Sequence, residues 1–376
     1  MKNLLIVSAL LCSCALQAQT EVSAYGSDKA QTEGITYMLP RNQIRITVTA
    51  VKRTYTPGEY CRYAEEYLRL SDVRPESSAS WELQKVEARC AAVPDPRKAF
   101  YITLTEKSST SRAQLSPDGL LLAINDRQDY APAPAPEPLK TKPRKKLSPE
   151  DYYTEDIIRA SSAMATARLI ADEIYQIREK RNDMTRGELE NMPQDGASMQ
   201  LIMQQLEEQE AALTSVFCGT TEEEVRQFSF IVEPDAEVDE DVLFRFSRKL
   251  GVVDADNLAG EPVYYSLVSQ HTVPDKTPRT EEERKRVEKM EKEAEKRARK
   301  GESQLMEGVV YNVPERVDFA VYTPQRDLFA AEYKIAQLGN TDVLLNELFD
   351  KKATFHVLFN PEDGSLLKVW QDEAGK

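Results

Sequence analysis

Histidine, cysteine and carboxylate side chains supply most enzyme centres and metal sites, and the chain offers few of the first two and many of the third. It has two histidines, His271 and His356. A general base or metal ligand drawn from histidine must be one of these. His271 precedes Thr272-Val273-Pro274 in a predicted loop, and His356 alternates with Phe355 and Val357 in a predicted strand. One therefore reads as a surface residue and the other as a strand residue. No grouping of His, Cys and carboxylates has the spacing of a zinc site, and 14 glycines spread thinly form no phosphate loop. The sequence assigns no catalytic, cofactor-binding or metal-ligating residue.

Carboxylates are too abundant for pairing to mean much. Asp235, Glu237, Asp239, Glu240 and Asp241 form one acidic run and Asp254 with Asp256 another, but neither has the ligand order of a calcium loop, so both read as solvated acids. A glycosidase needs two acids facing across a cleft, a relation in space rather than in sequence. Of the 5 cysteines, Cys12 and Cys14 lie near the amino terminus, leaving Cys61, Cys90 and Cys218. That is too few for a disulfide framework. One bridge between Cys61 and Cys90, the closest pair in sequence, is compatible with export, and a free buried thiol fits each position equally well.

The compartment is read from the first residues. Lys2, the apolar run Leu4 to Leu11 and small residues ahead of Gln19 have the order of a secretory leader. Cleavage after Ala18 is the favoured reading and leaves a mature amino terminus at Gln19. The alternative takes Leu11-Cys12-Ser13-Cys14 as a lipobox and puts lipid on Cys14. The apolar run falls short of the roughly 20 residues that cross a bilayer, and no other segment suffices, so the mature chain is expected to have no transmembrane span. The expected location is the periplasm or the outer membrane. With 63 acidic against 49 basic residues, the formal charge of −14 argues against nucleic acid or an anionic membrane as the main partner.

The elements that must position any site follow from periodicity. Residues 34 to 55 alternate, with Ile44, Ile46 and Val48 on one side and Arg45, Thr47 and Thr49 on the other, which is strand spacing. Pro57-Gly58 breaks the strand, and Tyr60, Tyr63, Ala64, Tyr67 and Leu68 then recur at helical spacing. Further strands are predicted over Trp81 to Val86, Ala99 to Thr105 and Leu120 to Ile124, the last entered through Ser116-Pro117-Asp118-Gly119. One helix is predicted from the Ser148 cap through Ile157, Ala160, Met164, Ala167, Ala171 and Ile174. A second carries Met199, Ile202, Met203, Leu206, Leu213, Val216 and Phe217 and closes at Gly219. The two are expected to pair as an antiparallel hairpin with their Met and Leu side chains in its core. Strands resume over Val225 to Val232, Val242 to Phe246 and Pro262 to Val268.

An internal echo links the two ends. Gly34-Ile35-Thr36-Tyr37-Met38-Leu39-Pro40 is matched by Gly308-Val309-Val310-Tyr311-Asn312-Val313-Pro314. Each copy is expected to continue with a strand, a short helix after a proline (Pro57, Pro324), Asp-Val (Asp72-Val73, Asp342-Val343) and a Pro-Asp-Gly or Pro-Glu-Asp-Gly turn into Leu-Leu. The expected fold is α+β: two related, mainly antiparallel β units with short helices, plus an inserted antiparallel helical hairpin and a long charged helix. The division is a signal peptide at 1–18, a first α+β unit at 19–130, a Pro-rich linker at 131–147 and the helical hairpin at 148–219. A β segment at 220–275, a charged helix or excursion at 276–304 and a second α+β unit at 305–376 complete it.

Seven segments in combination carry a resemblance: Tyr37 to Pro40, Tyr55-Thr56-Pro57-Gly58-Glu59, Ile174-Tyr175-Gln176-Ile177-Arg178, Met192-Pro193-Gln194-Asp195-Gly196, Phe217-Cys218-Gly219-Thr220-Thr221, Leu243-Phe244-Arg245-Phe246-Ser247 and Gly260-Glu261-Pro262-Val263-Tyr264. On them the chain resembles a family of exported Bacteroidota proteins catalogued as a domain of unknown function, family 4831. The resemblance implies a compartment and a class, and no catalytic residues. The expected function is that of a non-catalytic exported protein which binds or scaffolds an envelope assembly, with an envelope protein or a glycan as partner and no cofactor. One alternative is a carboxylate-dependent hydrolase of glycan or peptide, which requires a cleft between the β units lined by acids of raised pKa. The other is a chaperone-like factor for exported proteins, which requires an exposed apolar groove on the helices.

Overall fold

The computed structural model describes residues 21–24, 34–103, 112–131, 148–188, 195–274, 305–306, 308–349 and 354–371. The leader at 1–18 with Cys14, nearly all of the linker at 131–147 and the charged stretch at 276–304 lie outside the described residues. In chain order the first elements are β1 (Glu21–Ala24), β2 (Gly34–Thr56), α1 (Ala64–Leu68), β3 (Ser78–Thr103), β4 (Ala113–Leu115) and β5 (Leu121–Ile124). Three helices follow, α2 (Glu155–Arg159), α3 (Ala163–Arg186) and α4 (Gly196–Cys218), then β6 (Thr220–Val232), β7 (Val238–Ser247), β8 (Gly251–Val253) and β9 (Glu261–Ser269). Last come β10 (Leu305–Met306), β11 (Gly308–Thr323), β12 (Arg326–Leu345), β13 (Phe355–Phe359) and β14 (Leu366–Gln371). The class is α+β with antiparallel sheets, ordered β10-β1-β3-β2-β6, β12-β11-β9-β7-β8 and β14-β13-β5-β4.

Two long strand pairs, β2 with β3 and β11 with β12, are shared between two cores. Tyr37 and Leu39 face a first core with Phe100, Ile102, Leu121, Val309, Val310, Val357 and Phe359. Ile44, Ile46 and Val48 face a second, where the sheet of β2, β3 and β6 packs on that of β7, β9, β11 and β12 through Phe244, Leu267, Val317, Phe319 and Ile335. The buried face of β2 thus changes from odd to even positions. That change of face coincides with a break in the register of the strand pair. The slip falls at Pro40: residues 95–98 of β3 leave the ladder between the pairs Met38↔Ala99 and Pro40↔Pro94. Pro314 does the same on β11, where residues 336–339 of β12 leave it between Val313↔Asn340 and Glu315↔Ile335 and burial passes from Val310 and Asn312 to Val317, Phe319 and Val321. Proline lacks the N–H that a regular ladder needs, so it sits where the ladder breaks.

These slips correct one prediction. Trp81 to Val86 and the described part of the second predicted strand, Ala99 to Thr103, are not two strands but stretches of β3, which continues between them because β2 pairs with it on both sides of the slip. They also delimit the echo. The Met38 amide donates to the Gly119 carbonyl at 2.9 Å and the Asn312 amide to the Gly364 carbonyl at 3.1 Å, so each copy docks its own hairpin turn on the matched strand position. No helix follows Pro324, however: a two-residue turn leads from Thr323 straight into Arg326 of β12. Asp342-Val343 lies within β12, whereas Asp72-Val73 lies in the loop after α1. The hairpins are not symmetric either, since β5, after its turn, pairs with β13, before its own.

A third core joins the helices to the short turn after β2: Tyr60, Ala64 and Leu68 pack with Ile157, Ile170, Ile174, Leu213 and Phe217. The single helix predicted from Ser148 is instead a 3-10 turn at Pro149–Tyr152, then α2, then α3. Ser162 ends the continuity, because its hydroxyl accepts from the Ala165 amide at 3.3 Å and starts a new helix. Met164 therefore leaves the buried face and is 56% exposed. Arg178 and Arg181 both donate to Glu210, at 2.6 and 2.7 Å, where α3 and α4 meet. Only the Ala212–Phe217 end of α4 is buried, and Leu201 and Ile202 remain exposed. No helix among the described residues is long and apolar enough to cross a membrane.

Glu315 pins the segment that follows β9. Its buried carboxylate accepts from the Thr272 amide (2.7 Å) and hydroxyl (2.8 Å), the Val273 amide (2.8 Å) and the Arg316 amide (3.1 Å). Burial alone pushes its pKa up, but these bonds outweigh that and the net displacement is downward. Glu315→Gln replaces an acceptor by a donor facing N–H groups and is expected to lose about 2 kcal/mol at neutral pH. A folded pKa below the unfolded value of about 4.3 gives stability that is complete above it and fades as pH falls through the folded pKa. Urea unfolding of both proteins over that range should show the wild-type advantage shrinking with acidification. An advantage that persists into strong acid would sink this account.

Candidate functional site

The described residues form a cleft of about 460 Å³ where the helical layer meets the end of β2. Next to its lining residues Tyr55 and Cys218, two glycines allow backbone to lie on backbone. A Cβ on Gly58 would collide with the Val216 carbonyl of α4, and one on Gly219 with the Thr56 carbonyl of β2. Gly219 also takes φ +79 to close α4, a conformation costly for other residues. The Tyr60 amide donates to the freed Val216 carbonyl at 2.8 Å. The last turn of α4 is thereby fixed against the strand.

One wall is the loop after α1. That helix closes on Arg69 in the left-handed region (φ 57, ψ 32), with the Arg69 amide bonded to Glu65 and the Leu70 amide to Ala64. Ser71, Asp72 and Arg74 then pass along the cleft toward β3. The Tyr55 hydroxyl lies 2.9 Å from the Arg74 carbonyl and 3.0 Å from that of Cys218, so it can donate to either and ties the loop to the helix end. The Arg74 guanidinium lies over the Tyr55 ring, 5.6 Å from its centroid. The Cys218 thiol, at the cleft wall, is pushed up by burial and stays protonated at neutral pH, which is the reverse of an activated nucleophile.

The residues singled out by type are dispersed. His271 follows β9 in the left-handed region, its ring Nδ1 3.4 Å from the Ser269 hydroxyl. His356 is in β13, its Nδ1 2.7 Å from the Asn125 carbonyl and its ring stacked on Trp370. Glu240 and Asp241 on β7 accept from the hydroxyls of Tyr322 (3.0 Å) and Tyr265 (3.3 Å). Among the described residues no group of three His, Cys, Asp or Glu is placed to hold a metal ion. Each carboxylate among them with a displaced pKa, namely Asp95, Asp195, Glu224 and Glu315, is displaced downward.

The cysteines are not joined. Cys61 lies in the short turn before α1 and Cys90 packs on the second core, and both carry free thiols, as does Cys218. Burial pushes Cys90 up to about 12, against a hydrogen bond with Asn42. Arg69 and Arg74 carried no signal in the sequence beyond a polar stretch after a predicted helix. Only the fold brings them beside Tyr55 and Thr221.

Fold and cleft define a mixed α+β protein with antiparallel sheets and a solvent-open cleft at the junction of helices and strands. The chain belongs to the family described as Domain of unknown function (DUF4831), whose model matches residues 33–367. No curated protein and no solved structure matches it.

Gly58→Ala is expected to cost about 2 kcal/mol or more, because backbone must move. Gly187→Ala, at φ +75 with nothing within 4 Å, should lose only about 1 kcal/mol. Denaturant midpoints of the two variants check the contrast, and equal losses would remove the close approach as the cause. Alkylation of unfolded, unreduced protein followed by peptide mapping should find Cys61 and Cys90 both modified; a Cys61–Cys90 disulfide peptide would contradict the free thiols.

Proposed function

We propose that this is a non-catalytic binding or scaffolding protein of the bacterial cell envelope, exported by its amino-terminal leader and working in the periplasm or at the outer membrane. The cleft between the loop after α1, the end of β2 and the end of α4 carries the reading, because its walls present hydroxyls and guanidinium groups. We further propose that the chain comprises two related β units with a helical hairpin between them. The matched docking of Gly119 on Met38 and Gly364 on Asn312 supports that relation.

Two observations weigh against the alternatives. A general acid needs a pKa displaced upward, and the displaced carboxylates among the described residues go the other way. An apolar docking groove needs many contiguous side chains, whereas the exposed large apolar residues of the described helices are Ile158, Met164, Tyr175, Leu201 and Ile202, spread over α2, α3 and α4.

A photocrosslinking residue placed at Ser71, in the cleft loop, is expected to capture one discrete envelope component in intact cells, while the same residue at Arg186, at the exposed end of α3, captures none. Identical products from both positions, or a full-length chain with its leader uncut in the cytosol, would remove this reading.

A further inference from the structure

We infer that the cleft takes a carboxylate-bearing ligand, held between the guanidinium groups of Arg69 and Arg74. The inference rests on the binding reading above and narrows it to a ligand class. Three features of the structure point the same way.

The first is pairing. Arg53 on β2, Arg178 and Arg181 on α3 and Arg226 on β6 each have a carboxylate within 3.0 Å. Arg69 and Arg74 have no carboxylate partner among the described residues, although Asp72 lies between them in the same loop. The second is placement. Arg69 occupies a left-handed position at the end of α1 where glycine fits better, so the site keeps a side chain at a backbone conformation that disfavours one. Arg74 is oriented by the Tyr55 ring, and that ring is itself fixed by the hydroxyl contacts with two carbonyls. A planar guanidinium held by its face leaves its edge donors free, and those donors match the two oxygens of a carboxylate.

The third is charge. Two arginines against Asp72 leave this wall one unit positive in a chain of formal charge −14. One positive unit complements a monoanion. A phosphate dianion would meet more repulsion than a monoanion from Asp72 and from the carbonyl end of α4, whose dipole is negative there. The carboxylate of a peptide terminus and that of a sugar acid present the same group, and the source is left to the measurement.

Calorimetric titration of the full-length protein with two matched pairs separates the outcomes: N-acetyl-trialanine against its amide, and glucuronate against glucose. The carboxylate member of at least one pair is expected to bind about tenfold more tightly than its neutral counterpart, with affinity falling as salt rises. Which pair discriminates identifies the source. Arg74→Gln should weaken that binding by about tenfold. Arg69→Gly, which relieves the left-handed position and so preserves the fold, should weaken it as much while its thermal midpoint does not fall. Equal affinity within both pairs would overturn the ligand class and leave a binding cleft. Tighter binding of inorganic phosphate, or no binding of any probe at millimolar concentration, would likewise overturn it.

Discussion

The fold depends on two buried asparagines whose side chains bind backbone where the long strands change cores. Asn42 is 1% exposed and bonded through every polar group: its amide N–H to the Gln337 side chain, its Nδ2 to the Glu362 carbonyl, its Oδ1 to the Ala336 amide and its carbonyl to the Gln337 Nε2. Asn312, fully buried, donates from Nδ2 to the carbonyls of Pro40 and Asp363. A register slip frees backbone groups in the interior, and leaving them unpaired there would cost more than the slip gains. These two asparagines take up the freed groups, so that β2 can leave one apolar core and enter the next without a break in the chain.

The rest of the molecule is arranged around that seam. Tyr37, just before the slip, accepts from the Val310 amide and donates to its carbonyl, and burial pushes its pKa upward. The hairpin turns close over the outside: a Cβ on Gly364 would press on Pro40 and Asn312. At the far end β2 runs out to Thr56, where Gly58 receives the last turn of α4. The cleft is therefore held by a strand whose other end is locked in the interior, and its geometry depends on side chains more than a dozen positions away.

Local signals in the sequence were legible where one physical demand acted alone. The Ile44-Ile46-Val48 alternation, the Ser116–Gly119 turn and the Gly219 closure each answer to a single requirement, and each stands in the structure. The reading failed where two demands competed. The strands predicted over Trp81 to Val86 and from Ala99 onward are one strand, because the ladder with β2 slips between them and then resumes. Ser161-Ser162 lies inside an apolar stripe of helical period, and the Ser162 hydroxyl wins by capping a new helix. The candidate site was the least legible part. Tyr55, Arg74 and Thr221 belong to three separate segments, and no spacing rule relates them before the helices fold back on β2.

The contact between Tyr37 and Val310 spans 273 positions. During synthesis the first core has half its lining exposed, because Val309, Val310, Val357 and Phe359 arrive only near the carboxyl end. Closure over such separations is entropically slow, so the emerging chain must wait with Leu39, Phe100 and Ile102 uncovered. The helical layer has no such delay, since α3 and α4 are near neighbours in sequence. Folding order and chain order thus run against each other at the amino-terminal sheet, and a shortened carboxyl terminus would leave that sheet sticky rather than merely less stable.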